Sequence, residues 1–132
     1  MELYYEFDNY IKRLKTPLTD KNGRLLYYGI YDFSYKFRTR IFDENDNEIS
    51  YVEKDITAEE PLVNAYAHDG TPLFKLYKED DEYLVMPQGW RFKTDNSCFM
   101  IEHVMMADKK RVVCDDMNIA LPLLFALVEI QR

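Results

Sequence analysis

Cysteine, histidine, glycine and proline are all scarce here: two Cys, two His, four Gly and five Pro in 132 residues. Each shortage closes something off. Two cysteines cannot build the dense disulfide framework of a small secreted domain. Cys98 and Cys114 each lie in an apolar, strand-like run and read as buried free thiols in a reducing, cytoplasmic setting. There is no Gly-rich phosphate loop, no Gly-x-Ser-x-Gly elbow and no His-Glu-x-x-His helix. Positive charge is also short. The net charge is −7, and division after Tyr66 gives −4 and −3, so neither half carries a basic arm. Non-specific nucleic-acid binding needs many cations on one face and is excluded on this count; the charge reads as solubility. No apolar run reaches the roughly 20 residues needed to span a bilayer. The opening Met-Glu-Leu-Tyr-Tyr-Glu lacks the basic start and apolar stretch of a signal peptide, so a cytoplasmic location is expected.

What the chain does have is aromatic bulk. Eleven Tyr and eight Phe, with 47% apolar residues overall, are ample for a packed core and favour strands. The length suits one domain over 1–132. Acidic turn clusters fall at 19–23, 43–47, 68–70, 79–81, 95–96 and 107–110, because Asp, Asn and Gly accept turn geometries that β-branched residues resist. Between them the pattern predicts strands near 3–7, 10–15, 24–31, 34–42, 48–54, 62–67, 72–78, 82–86, 89–94 and 97–106, with another at 110–114. Alternation is clearest at 34–42: Tyr35, Phe37, Thr39 and Ile41 on one face, Lys36, Arg38 and Arg40 on the other. Three units starting at Asp20, Asp46 and Asp69 share the order acidic turn, polar residue, apolar strand, a weak hairpin repeat.

The pattern changes after Asp115-Asp116-Met117-Asn118. Residues 119 to 130 read Ile-Ala-Leu-Pro-Leu-Leu-Phe-Ala-Leu-Val-Glu-Ile, apolar on every side until Glu129. A helix is expected near 117–131, capped by Asp116 or Asn118, with Pro122 close to its first turn. A helix apolar all round must be surrounded. At about 1.5 Å per residue it is roughly 21 Å long, close to the height of a six-residue strand. The predicted architecture is therefore mostly β: a closed or nearly closed antiparallel meander barrel of about 10–12 short strands around a hydrophobic C-terminal helix.

That arrangement resembles the tubby C-terminal-like fold, and in particular its LURP-one-related bacterial members. The resemblance rests on Asp20-Lys21-Asn22-Gly23-Arg24-Leu25-Leu26-Tyr27, on its echo from Phe42 to Ile49, and on the ending from Cys114-Asp115-Asp116 to Ile130. It implies a binding or membrane-associated module and not an enzyme. In tubby domains a Lys-x-Arg pair on a strand holds phosphoinositides.

Lys36-Phe37-Arg38 matches that spacing, and Arg40 extends the stripe. Two such cations about 7 Å apart suit phosphate groups. The same residues also suit an ordinary solvated face paired with Glu on a neighbouring strand. Asp43, Asn45 and Asn47 have the alternate spacing of a calcium loop, but Glu48 and Lys54 stand where Gly and Glu are required, so a plain hairpin turn is expected. Cys98, Cys114, His68 and His103 show no metal-ligand spacing. Tyr4, Tyr5, Tyr27, Tyr28, Tyr31 and Tyr35 suit cross-strand packing or a protein-contact face. The expected function is a non-enzymatic binding module without cofactor or metal. Its partner is an anionic lipid headgroup at Lys36, Arg38 and Arg40, or alternatively a protein meeting exposed aromatics.

Overall fold

The structure, a computed structural model, describes residues 2–4, 15–32, 37–54, 62–92, 99–100, 104–106, 111–114 and 117–129. Among these described residues twelve strands precede one helix: β1 (Glu2–Tyr4), β2 (Lys15–Thr19), β3 (Leu25–Asp32), β4 (Arg38–Asp43), β5 (Glu48–Glu53), β6 (Val63–Ala67), β7 (Pro72–Glu79), β8 (Glu82–Met86), β9 (Trp90–Phe92), β10 (Phe99–Met100), β11 (Val104–Met106), β12 (Arg111–Cys114) and α1 (Met117–Glu129). All belong to one antiparallel sheet in the order β10-β11-β12-β1-β2-β3-β4-β5-β6-β7-β8-β9, of which β2 to β9 form an eight-stranded meander.

The turn chemistry explains the meander. The hairpins β2–β3, β4–β5 and β6–β7 are built alike. Asp20, Asp43 and Ala67 each exchange main-chain bonds with the residues three and four positions on. The third position has positive φ in every case: Gly23 at 83°, Asp46 at 65° and Gly70 at 89°. The strand register slips beside each turn, between Leu18 and Thr19, Ile41 and Phe42, and Ala65 and Tyr66. A three-residue loop ending in a left-handed residue and a bulge has this signature. Side chains hold it. Asp20 Oδ1 accepts from the Asn22 and Arg24 amides, and Asp43 Oδ1 from those of Asn45 and Asn47. The 43–47 segment is thus the expected hairpin turn. Alternate hairpins of a meander lie at the same end, so these three turns form one rim.

The core lies between the sheet and α1. Leu18, Ile41, Val52, Val63, Ala65, Phe74, Leu76 and Val85 point inward from β2 and β4 to β8, each at most 2% exposed. They meet Ala120 to Leu127 of α1, eight successive buried residues, all but Pro122 at 0–3% exposure. Eight residues exceed two helical turns, so every side of this stretch is covered. The sequence's all-apolar helix is therefore enclosed as expected, with β4, β5 and β6 its main neighbours.

Among the described residues the wall is not closed by hydrogen bonds. Its edges, β9 and β10, are consecutive in the chain. From Phe92 to Phe99 the backbone reaches at most roughly 25 Å. Twelve flat strands would put those edges roughly 50 Å apart, so the sheet must curl back on itself. Among the described residues no ladder joins β9 to β10. Of the expected closed or nearly closed barrel, the structure shows the antiparallel meander and its C-terminal helix, with the sheet unclosed.

Other boundaries shift for local reasons. The strand predicted at 34–42 begins only at Arg38, since Phe37 has φ 49° and breaks the extended run. The single strand predicted at 97–106 contains two, β10 and β11, paired antiparallel. Lys15–Thr19 forms a strand where the sequence pattern left 16–18 unassigned and put Thr19 in a turn, and Pro17 is accommodated within it. The strand predicted at 10–15 lies almost wholly outside the described residues. Pro122 sits in the second turn of α1, not the first. It offers no N–H to the Asn118 carbonyl, which weakens the helix locally.

Candidate functional site

Two places qualify. The first is the face of the sheet turned away from α1, where the sequence put its cationic stripe. Thr39 and Ile41 point inward and are buried, so Arg38 and Arg40 point outward. Lys36 lies outside the described residues, and Phe37 is not part of the strand.

Neither arginine stands alone. Arg38 donates from Nε (2.9 Å) and Nη2 (2.5 Å) to Glu53 Oε1, its direct partner across β4–β5. Arg40 donates from Nε (3.2 Å) and Nη2 (2.7 Å) to Glu48 Oε2. That bond raises the already high Arg40 pKa, against the smaller opposing effect of burial. Both guanidinium groups also cover rings. Arg38 lies 4.6 Å from the Tyr51 ring centre and Arg40 5.2 Å from that of Phe42. Tyr51 stacks on Tyr66 at 5.0 Å, and Phe42 on Tyr28 at 5.1 Å. The Tyr28 hydroxyl donates to Asp46 at 2.5 Å in the rim, a bond that raises its pKa. The stripe is thus one row of an ordered, charge-balanced Arg, Glu and Tyr face. The expected pairing with glutamates on a neighbouring strand is what the structure shows.

The second place was not singled out from the sequence. It is a recess of about 580 Å³ at the rim, between the β4–β5 and β6–β7 turns and the start of α1. Tyr27, Ile49, Leu73, Leu121 and Pro122 give it apolar walls; Asp43, Ser50, His68 and Asn118 supply its polar atoms. Ser50 faces inward from the middle of β5, between Ile41 and Ala67 on the adjacent strands. It is 4% exposed, and its hydroxyl has no hydrogen-bond partner among the described residues. An unsatisfied buried hydroxyl costs about 1–3 kcal/mol, so most such groups are paired.

Ser50, His68 and Asp43 are residue types of a hydrolytic triad, and they share this recess. The geometry does not assemble one. A nucleophile requires a bond to its base, and Ser50 Oγ has none. Asp43 is committed to its own turn: the Asn47 amide above all, with Asn45, holds its carboxyl below the usual range. His68 is exposed at the start of the next turn. The Thr71 amide lowers the pKa of the neighbouring Asp69.

Sequence inspection missed Ser50 because an inward serine in a strand looks like any alternation error until its surroundings are known. Cys98 and His103 lie outside the described residues, and Cys114 falls in β12. Among the described residues no three His, Cys, Asp or Glu side chains cluster as metal ligands, and no helix is long and apolar enough to cross a membrane.

No family model matches the chain, and no curated protein or solved structure matches it either.

Proposed function

We propose that this chain is a non-enzymatic binding module on the tubby-like plan, a wall of strands nearly closed around its own helix, which meets a protein partner on the outer face of β4, β5 and β6. The reading fits where space is left. With α1 filling the interior, work is confined to the outside and the ends.

One observation carries the choice of partner. Arg38 is simultaneously bonded to Glu53 and laid over Tyr51, which itself stacks on Tyr66. Tyr and Arg dominate the energetics of protein interfaces, and rings already held in place lose little freedom on binding. A flat, neutralised patch suits a partner of similar character.

An anionic lipid headgroup is the second reading. Arg38 and Arg40 do share one face, about 7 Å apart, and the Arg40 side chain keeps 45% of its surface exposed. A headgroup would have to displace Glu48 and Glu53, and a protein of charge −7 is repelled by an anionic surface.

Two measurements separate the readings. A photo-crosslinking residue at position 66 should give a discrete protein adduct, either heteromeric or a dimer, that disappears in Y51A. The same residue at position 80, in the opposite-end turn, should not give it. Identical products from both positions, or none, defeat the protein reading. Saturable binding to phosphoinositide vesicles at low salt, lost in R38A/R40A, would establish the lipid reading in its place.

A further inference from the structure

We infer that the partner of the outer face is a second copy of this chain, docked about a two-fold axis that runs along the strands between β4 and β5. The inference rests on the proposed reading of that face as a protein-contact surface, and it names the occupant.

The support is the register of four strands. Two outward rows cross the sheet side by side. Ile30, Arg40, Tyr51 and Tyr66 are successive cross-strand partners from β3 to β6, and so are Asp32, Arg38, Glu53 and Asn64. Neighbours within a row stand about 4.8 Å apart, and the rows lie about 7 Å apart. A two-fold contact lays a patch on its own copy, so it must be complementary to itself. With the axis between β4 and β5, each β4 residue faces the second copy's β5, and each β3 residue its β6. Every position of both rows then meets a suitable group. Arg38 faces the second copy's Glu53, and Asp32 faces its Asn64. Arg40 faces its Tyr51 ring, the contact that Arg38 already makes with Tyr51 inside one chain. Ile30 faces its Tyr66 ring. Ile30 is 37% exposed, one of two large apolar side chains so exposed among the described residues.

Other placements of the axis fail on charge. An axis along β4 sets Arg38 on Arg38 and Arg40 on Arg40, and one along β5 sets Glu53 on Glu53. An axis across the strands, between the two rows, sets Arg38 on Arg40. On the face of β4 to β6 the arginines and glutamates at 38, 40, 48 and 53 cancel, although the chain carries −7. This face therefore adds nothing to the repulsion between two acidic chains.

The test is sedimentation equilibrium of purified full chains at up to about 1 mM, which detects even weak association. The wild-type chain should dimerise. R38E and E53R should each be monomeric, because each sets like charges against one another across the axis. Their equimolar mixture should dimerise again: pairing across the axis is restored, while the pair within each chain stays broken. A role confined to one chain's fold cannot produce that rescue. I30D, at an exposed position outside the core, should also be monomeric. A wild-type chain that stays monomeric overturns the inference, as does a dimer that survives R38E, E53R or I30D, or a mixture of folded R38E and E53R that stays monomeric. If R38E or E53R does not fold, I30D decides alone. A photo-crosslinking residue at position 66 separates this failure from that of the outer-face reading. It should join the second copy at β3, which lies about 15 Å away within one chain. A monomeric wild type whose position 66 captures a different protein discards the second copy and leaves the outer-face reading standing; no adduct of any kind defeats both.

Discussion

Gly29 of β3 lies directly against the ring of Phe125 of α1: a Cβ at position 29 would stand 2.4 Å from Phe125 Cε1. The φ of Gly29 is not in the left-handed region, so space and not backbone freedom demands glycine there. This contact sets how closely the helix approaches the sheet. G29A should therefore destabilise the domain by about 1–3 kcal/mol through overpacking. F125L makes room and should cost about 1–2 kcal/mol alone. The double variant should be more stable than the two single losses summed, a coupling that denaturant unfolding measures directly. Strict additivity would mean that the two residues do not touch.

Leu124, 2% exposed near the middle of α1, tests whether the helix is enclosed. L124D places an unpartnered carboxylate in the core. It should cost several kcal/mol, enough to unfold a domain of ordinary stability. Loss of the cooperative thermal transition is the expected result. A folded, stable L124D chain would falsify the enclosed-helix architecture.

The Arg38–Glu53 pair predicts a modest but measurable coupling. Its side chains are 30% and 13% exposed, so solvent screens it only in part. A cycle through R38A, E53A and the double variant should give about 0.5–1 kcal/mol, at the upper end for surface pairs, and smaller at high salt. R38A should also lose the packing over Tyr51. A coupling of zero at low salt would show that the pair is incidental.

Asp43 and Asp69 give the acid limb its direction. The Asn47 amide lowers the pKa of the first, and the Thr71 amide that of the second. The folded-state values lie below the unfolded ones. Their contribution is thus complete above the ordinary aspartate pKa, near 4, and is lost as pH falls through the folded values. D43N and D69N should each flatten the fall of the thermal midpoint below pH about 4 and leave its slope above pH 6 unchanged. A parallel acid limb in both variants would count against this origin.

How much of this was readable in advance follows from the range of each interaction. The enclosed helix was visible because a segment apolar on all sides has no other soluble solution. The hairpin turns were visible because Asp20 and Asp43 satisfy main-chain amides only two and four residues away. The cationic stripe was half visible: alternation placed Arg38 and Arg40 outward and allowed glutamate partners on a neighbouring strand, but only the register of β4 against β5 decided that these are Glu53 and Glu48. Phe37 was misread because a left-handed residue looks like part of the strand when only its side chain is considered.

By itself, then, the sequence determined the local matters: strand-rich composition, acidic turns, a core helix too short for a bilayer. These depend on periodicity and on bonds spanning a few residues. Only the tertiary structure decided which turns share a rim, that β1 pairs with both β12 and β2, that Gly29 yields to Phe125, and that Ser50 borders a recess with its hydroxyl unused. Each joins residues distant in the chain, so their chemistry exists only once the sheet has curled around its helix.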